Sequence, residues 1–252
     1  MISFIIYAHS FRKDNLIETI SSLEKNEPNL NAEIIIVFQD NVDVPISCKW
    51  PIKKQFLNID TYKKPFMCNI GVGLASNDII VILDSDRILP ENYFYNNLQI
   101  RPKEIITTKY LRGYKANGSS FIENRSINNE INCKNLFSGN TMMWKCDWFG
   151  ADESFIGYGS ADNDMTATAL QTCFATFLDV EERHLYHPTE IIFGGRTLRN
   201  MEWGLVAFTN LLRYVKKWKI DRPKVFRDAG WWKRNIYKYP EDLREFFFSV
   251  YK

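Results

Sequence analysis

Residues 69–86, NIGVGLASNDIIVILDSD, decide the fold class of this chain. Their apolar core at 79–83 is short, unbroken and rich in β-branched residues, which is typical of a strand buried on both faces. The preceding stretch, 65–75, predicts a helix, and the strand stops abruptly at Asp84-Ser85-Asp86. A helix followed by a buried strand that ends in carboxylates indicates an α/β sheet with a ligand site at the strand end.

The same alternation extends on both sides of this stretch. Apolar runs predict strands at 2–8, 33–38, 54–59 and 104–109, and further helices are predicted at 13–25 and 90–98. Such repeats require right-handed crossovers, so we expect a mostly parallel sheet flanked by helices. Ligands bind beyond the carboxyl ends of strands in sheets of this kind. The polar residues that follow the strands are therefore candidates for the site: His9, Ser10, Arg12, Gln39, Asp40, Asp84 and Asp86.

Asp84 and Asp86 are the first candidates for binding a metal ion. Two carboxylates two residues apart, where a strand leaves the sheet, can converge on one hard divalent cation. A cation there can neutralise the charge that grows on a diphosphate leaving group. The alternative is a solvated turn, because Asp and Ser favour turns in any case.

A second group of candidate residues lies at 155–164, FIGYGSADND. Small residues such as Gly159 let a backbone approach a ligand closely, and Tyr158 offers a flat face to a sugar ring. Asp162 or Asp164 can remove a proton from an acceptor hydroxyl. The alternative is a Gly-rich turn followed by a helix start that an Asp caps.

Two of the three histidines, His184 and His187, lie close together in the sequence. A neutral imidazole is a good partner for carboxylates around a Mn²⁺-like ion, so His184 is a candidate third ligand. The alternative is one surface histidine and one packed against Pro188. His9 belongs to a different loop, which we expect to face the nucleoside of a ligand.

The composition narrows the class of protein. The 252 residues have a formal net charge of only +2, which gives no reason to expect nucleic-acid binding. The five cysteines are scattered and lack CxxC spacing, which favours reduced thiols and a cytoplasmic location over a disulfide framework or a zinc site. We expect neither a signal peptide nor a membrane span, since no apolar stretch approaches the roughly 20 residues that a span needs.

The chain divides by composition into a domain and an extension. We expect the domain at 1–195, with a first half at 1–115 and a second half at 136–190, for which a family resemblance implies nucleotide binding and acceptor binding respectively. The polar stretch between the two halves predicts a long loop. The remaining residues, 196–252, are expected to form an acceptor-side helical extension.

The extension is basic and rich in tryptophan. From residue 200 onward there are twelve Lys and Arg but six Asp and Glu. The segment can pack its aromatic residues onto the domain, line the acceptor site through Trp231 or Trp232, or make a peripheral contact with a membrane surface. Gly194-Gly195-Arg196 predicts a mobile loop that closes over a bound donor.

The first half of the chain resembles the nucleotide-binding half of GT-A glycosyltransferases. The resemblance rests on the first strand with its loop up to Arg12, on EIIIVFQD at 33–40, and on the stretch quoted above. In that family an Asn-x-Gly pair precedes the acidic triplet, as Asn69 does here, and a basic residue such as Lys64 comes shortly before it. The resemblance implies a nucleotide-sugar donor, with UDP first and GDP left open. It implies donor contacts by Ala8, His9, Ser10, Arg12, Gln39, Asp40, Lys64, Asn69, Asp84, Ser85 and His187.

The second half resembles the C-terminal motif of the galactosyltransferase and polypeptide N-acetylgalactosaminyltransferase branch, and of chondroitin-polymerase-like enzymes. That motif reads F-x-G-W-G-x-E-D-x-D/E, which FIGYGSADND follows except at Ala161, where the family usually has Glu. The resemblance implies an inverting reaction and a Mn²⁺ or Mg²⁺ ion. The residues it implies are Asp162 as the base, Tyr158, Gly159 and Asp164 for the acceptor, and Asp84, Asp86 and His184 for the metal.

The sequence thus predicts a metal-dependent transferase that moves a sugar from a nucleotide-diphosphate sugar to an acceptor hydroxyl, such as one on a glycan. Two other functions stay open. A sugar-phosphate nucleotidyltransferase also uses acidic residues and metal, but normally has a Gly-rich loop where this chain has AHSFRKDN at 8–15. A carbohydrate-binding or scaffold protein with a degenerate site would explain Ala161.

Overall fold

The fold is taken from a computed structural model of the chain. It describes residues 1–114, 118–125, 127–128, 132–133, 136–157, 159–187, 192–220 and 222–251. The predicted α/β class is confirmed, because a nine-stranded sheet forms the centre of this part of the chain and helices pack against it. Within the described ranges, no helix combines the length and the apolar character that crossing a membrane requires.

The elements follow one another along the chain as strands, α-helices and short 3-10 turns. The strands are β1 (Ile2–Ala8), β2 (Ala32–Phe38), β3 (Ile52–Phe56), β4 (Ile79–Asp84), β5 (Arg87–Ile88), β6 (Glu104–Tyr114), β7 (Ser120–Asn124), β8 (Ile127–Asn128), β9 (Asn132–Cys133), β10 (Asn140–Trp144), β11 (Phe174–His184), β12 (Ile192–Phe193) and β13 (Arg196–Thr197). The α-helices are α1 (Lys13–Asn26), α2 (Lys64–Leu74), α3 (Ala161–Ala169), α4 (Asn200–Lys217), α5 (Pro223–Asn235) and α6 (Glu241–Tyr251). The main sheet has the order β3-β2-β1-β4-β10-β6-β11-β5, with β7 paired to β6.

The first four strands of this order are parallel, as predicted. Every residue of β1 and β2 is buried, which explains why their sequences are apolar apart from Ser3 and Glu33. Leu16 and Ile20 of α1 cover one face of the sheet, while Met67 and Val72 of α2 cover the other. Parallel pairing places the carboxyl ends of β1, β2 and β4 at the same edge.

The remaining strands make the sheet mixed and complete this edge. Strand β10 runs antiparallel to β4, and its first residue, Asn140, lies opposite Leu83. Strand β11 is parallel to β6 but antiparallel to the short β5, so that His184 lies opposite Arg87. This register places His184, which is distant in the sequence, beside the residue that follows Asp84-Ser85-Asp86.

Several local predictions differ from the structure. The polar stretch between the two halves, predicted to be a long loop, contains strand β7, which pairs with β6. The predicted helix at 90–98 is wrong, since the segment contains only a 3-10 turn at Tyr95–Asn97. Asn92 is left-handed, with φ 54°, which an α-helix does not accommodate. The neighbouring Phe94 is buried in the core, and its amide donates a hydrogen bond to Glu27. The strand predicted at 54–59 is shifted and spans Ile52–Phe56.

The C-terminal helices form a third hydrophobic core. This core includes Phe155 and Phe193 from the preceding part of the chain, so the extension packs onto the acceptor half. Gly194 and Gly195 of the predicted loop form the turn of a hairpin between β12 and β13, and Arg196 is the first residue of β13. The predicted boundary at 195/196 therefore falls within that hairpin. Trp232 packs against Phe208 of α4.

Candidate active site

A cleft of about 410 Å³ opens at the sheet edge where β1, β2 and β4 end. Its walls come from the loop after β1, the acidic triplet, the start of α3 and the end of β11. The predicted site residues that line it are Ala8, His9, Arg12, Gln39, Lys64, Asp84, Ser85, Asp86, Gly159, Asp162, His184 and His187. Tyr158, predicted to stack on the acceptor, lies outside the described residues.

Asp86, His184 and His187 form a set of side chains that could hold a metal ion, and we call these three residues the metal set. The Oδ2 atom of Asp86 lies 3.3 Å from Nε2 of His184 and 3.0 Å from Nε2 of His187. One ligand atom from each residue falls within 4.8 Å of the other two. One carboxylate and two imidazoles suit a divalent transition metal. The predicted partners Asp86 and His184 are thus brought together, and His187, predicted to contact phosphate, joins them.

The electrostatic surroundings keep Asp86 in its ionised, metal-binding form. Burial raises the pKa of this carboxyl, but Arg87 and the hydrogen bonds from His184 and His187 outweigh burial and hold the pKa well below its usual range. Arg12 from the loop after β1 also approaches, with Nη1 3.5 Å from Oδ2 of Asp86.

Asp84 lies beside this set and faces two cations instead. Its Oδ1 atom is 3.2 Å from Nζ of Lys64, and its Oδ2 atom accepts a hydrogen bond of 2.8 Å from Arg87. Strand β4 ends at Asp84, whereas Asp86 belongs to the following turn, so the two side chains have different environments. Asp84 thus pairs with Lys64 and Arg87, whereas Asp86 is the carboxylate that is grouped with the two histidines.

Arg87 is a buried residue of this site that the sequence analysis missed. Its Nε atom lies 3.1 Å from Oδ1 of Asp86, and Nη1 lies 3.7 Å from Oε1 of Glu182. Burial lowers the pKa of Arg87, but Asp86, Asp84 and Glu182 reverse that effect and raise it, so the guanidinium stays charged. Its place directly after the acidic triplet was a usable signal. Its partner Glu182 is far away in the sequence, and no sequence pattern indicated that it belongs to the site.

Glu182 anchors a buried network behind the metal set. This carboxylate is fully buried and pairs with Arg125 and Asn140 as well as with Arg87. Removing it would leave two guanidinium groups without their shared anion. A buried ion pair is costly to break because the remaining charge stays desolvated.

Replacing Glu182 with alanine is expected to lower the free energy of unfolding by about 3–5 kcal/mol. The neighbouring Glu181→Ala is a matched control, since Glu181 pairs with Arg112 at the surface, where both side chains are about one third exposed. Water screens that pair, so its loss is expected to cost far less. Urea unfolding of both variants measures the difference, and equal losses would contradict the role of Glu182.

Asp162, the predicted base, lies in the first turn of α3 and lines the cleft. Its Oδ1 atom is 2.6 Å from Nζ of Lys64. The same Lys64 ammonium donates a 2.6 Å hydrogen bond to the carbonyl of Phe137 and lies 4.8 Å from the centre of the Tyr7 ring. Lys64 is thus a buried bridge between Asp162 and Asp84, and it connects the two halves of the cleft.

The residues predicted near the nucleoside form a cluster where β1 and β2 end. The Ser10 amide and hydroxyl both donate to Oδ2 of Asp40, and Nδ1 of His9 lies 3.2 Å from the same oxygen. Gln39 donates a 3.3 Å hydrogen bond to the carbonyl of Ile59. Of these residues, Ser10 and Asp40 support the loop but do not line the cleft described here.

Asn69 lies away from the cleft and supports a loop. Its Oδ1 atom accepts hydrogen bonds from the indole of Trp148 and the amide of Ala151, and its Nδ2 donates to the Ala151 carbonyl. Gly71 is the glycine of the Asn-x-Gly pair that begins at Asn69. It allows α2 to pack on β1, because an added Cβ would lie 2.2 Å from a methyl carbon of Ile5. The pair therefore supports the packing behind the site.

Asp164, predicted to contact the acceptor, also lies behind the cleft. It is 1% exposed, and the described lining includes Asp162 and Asn163 but not Asp164. Its two oxygens accept hydrogen bonds of 2.8 Å from Lys217 and from the Trp218 indole. The structure thus directs this carboxylate towards the C-terminal helices.

Comparison with known proteins gives likenesses in structure. The chain is similar to GalNAc-T7, in a crystal structure with UDP, GalNAc and Mn²⁺, with a TM-score of 0.61 and 12% identity over 87% of this chain and 50% of that chain. It is also similar to S. aureus TarS 1–349, with a TM-score of 0.54 and 11% identity over 90% of this chain and 68% of that one. For TarS 1–349 in complex with UDP-GlcNAc the TM-score is 0.55, with 11% identity and coverage of 90% and 69%. No family model and no curated protein matches the sequence.

These likenesses show that the chain has a GT-A glycosyltransferase fold, as the sequence resemblance implied. The chain spans half the length of the GalNAc-T7 chain that it matches. The narrower resemblance to chondroitin-polymerase-like enzymes stays a prediction.

Proposed function

We propose that this protein is a glycosyltransferase that moves a sugar from a nucleotide-diphosphate sugar to an acceptor hydroxyl, with the help of a divalent cation. The observation that carries the proposal is that the Asp86, His184 and His187 set and the carboxylate of Asp162 open into one cleft. A cation site and a base are the two groups that this reaction needs on either side of the anomeric carbon.

The donor is a UDP-sugar in this proposal. Both similar proteins have been solved with uridine nucleotides, GalNAc-T7 with UDP and TarS with UDP-GlcNAc. Arg12 and Lys64 lie in the cleft at the metal set and at Asp162, and would contact the diphosphate. His9 and Gln39 line the part of the cleft left for the nucleoside.

Mn²⁺ fits the set better than Mg²⁺ does. Imidazole is a ligand of transition metals, whereas Mg²⁺ prefers oxygen ligands and keeps several waters. Two of the three side chains in the set are imidazoles. The cation would supply positive charge to the diphosphate as it departs.

Asp162 would accept the proton of the acceptor hydroxyl, and the attack would invert the anomeric carbon. Asp162 is partly exposed to the cleft, so an acceptor can reach it, and it is paired with Lys64. Lys64 pairs with this carboxylate and also faces Asp84, which places the proposed base next to the proposed donor site. Ala161 lines the same wall, and its side chain is smaller than the Glu that the resembled family usually has there, which would leave room for the acceptor.

Ligand-dependent thermal stability tests the proposed donor and metal. UDP-sugars with Mn²⁺ are expected to stabilise the protein, by about 2.7 kcal/mol at a hundredfold excess over the dissociation constant. Mg²⁺ and GDP-sugars are expected to give smaller shifts, and EDTA to remove the shift. Stabilisation by a nucleoside triphosphate but not by any nucleotide sugar would indicate a nucleotidyltransferase. Binding without release of UDP in the presence of acceptors would indicate a scaffold.

The predicted peripheral contact with a membrane rests on the outer face of α5. Phe226 and Trp231 are exposed on this helix, and so are the basic residues Arg227 and Arg234. An anionic lipid surface attracts such a combination. The contact remains a prediction from composition and exposure.

A further inference from the structure

Helix α4 of the C-terminal extension lies directly against the segment that carries Asp162. The side-chain amide of Asn210 donates a 2.7 Å hydrogen bond to the carbonyl of Ile156. Asn210 is 1% exposed, so this bond is protected from water. The contact fixes the backbone just before the glycines that lead into α3.

The two glycines of this segment are packed against the same helix. Gly157 and Gly159 have φ angles of 70° and 88°, which residues with side chains rarely adopt. A Cβ at Gly157 would lie 2.6 Å from Val206, and one at Gly159 would lie 3.1 Å from the Cα atom of Ala207. The segment therefore follows the surface of α4 at van der Waals distance.

The C-terminal end of α4 holds the far side of the same segment. Lys217 donates hydrogen bonds of 2.8 Å to both Asp152 and Asp164, and Trp218 donates one of 2.8 Å to Asp164. Asp164 is two residues from Asp162 in α3, so these bonds fix the helical turn that presents the base. We call Lys217, Trp218 and Asp164 the latch.

We propose that α4 positions the base, with Asn210 and the latch as positioning residues that act on the reaction through Asp162. The inference rests on the proposed function, because it assigns these residues a part in the same transfer. None of the four lines the described cleft. A base must lie within hydrogen-bond distance of the proton that it accepts, so a small displacement of α3 lowers the rate without affecting the metal set.

Lys217→Met and Trp218→Phe test the latch, since both remove donors to Asp164 and keep most of the packing. Each is expected to lower kcat by about 10- to 100-fold and to leave donor and Mn²⁺ binding unchanged. Lys217→Arg, which keeps donors and charge, is expected to restore much of kcat. Lys216→Met is the matched control, because Lys216 bonds to the carbonyls of Val250 and Tyr251 on α6 and is expected to leave kcat unchanged.

Hydrogen exchange provides a second readout that does not depend on activity. In the Lys217→Met and Trp218→Phe proteins, amides at 159–164 are expected to exchange about tenfold faster, and in Lys216→Met at the normal rate. Unchanged exchange and unchanged kcat in the latch variants would overturn the inference and leave the proposed function standing. If the wild-type protein transferred no sugar, that result would contradict the proposed function and also the inference about the base.

Discussion

Replacing Asp86 with alanine is expected to abolish the Mn²⁺-dependent stabilisation by donor and to lower kcat/KM by roughly 10³-fold or more. Asp86 is the carboxylate in the set, and it contacts both imidazoles. Without it the proposed cation would lose its anionic ligand, and the departing diphosphate would lose several kcal/mol of charge stabilisation. Thermal shift with and without Mn²⁺, together with initial rates, measures both losses.

Two further variants make this result specific. His184→Ala removes a second member of the set without disturbing Arg87, and it is expected to weaken metal binding in the same direction. Asp179→Ala changes an exposed carboxylate, with 77% of its side chain accessible, and is expected to have no effect on either measurement. Full Mn²⁺-dependent stabilisation in both Asp86→Ala and His184→Ala would show that the cation binds elsewhere.

The parallel half of the sheet and two residues of the metal set could be predicted from the sequence. The sequences of β1, β2 and β4 are mainly apolar because both faces of these strands are buried, and apolar runs of this kind are visible without coordinates. Asp86 and His184 were predicted together and lie 3.3 Å apart. The helix predicted at 90–98 failed because the left-handed Asn92 and the burial of Phe94 depend on contacts with other elements.

Spacing along the chain could not separate residues that line the cleft from those that support it. Asp84 and Asp86 look equivalent in the triplet, but Lys64 pairs with Asp84, whereas the two histidines approach Asp86. Likewise Asp162 and Asp164 look equivalent in the motif, but they lie at opposite sides of the first turn of α3: one faces Lys64 and the other the latch. These differences arise from partners that are distant in sequence, which local patterns do not contain.

Asp162→Asn is expected to lower the rate of transfer by about 10²- to 10⁴-fold while donor binding persists. The amide has nearly the shape of the carboxylate but does not accept a proton at neutral pH. Lys64 would lose one anionic partner and keep Asp84 and the Phe137 carbonyl, so the metal side of the cleft is expected to stay intact. Initial rates at saturating donor, with thermal shift as the measure of donor binding, separate the two effects.

The stereochemistry of the product tests the role of Asp162 as the base without a rate measurement. A base that activates the acceptor for direct attack gives an anomeric configuration opposite to that of the donor, which NMR of the product reports. If Asp162→Asn lost both transfer and donor binding, Asp162 would have to be assigned to binding the donor and not to the acceptor. Transfer at a near-normal rate, or a product with retained configuration, would exclude Asp162 as the base, because a group that takes the acceptor proton in a single displacement is needed at every turnover.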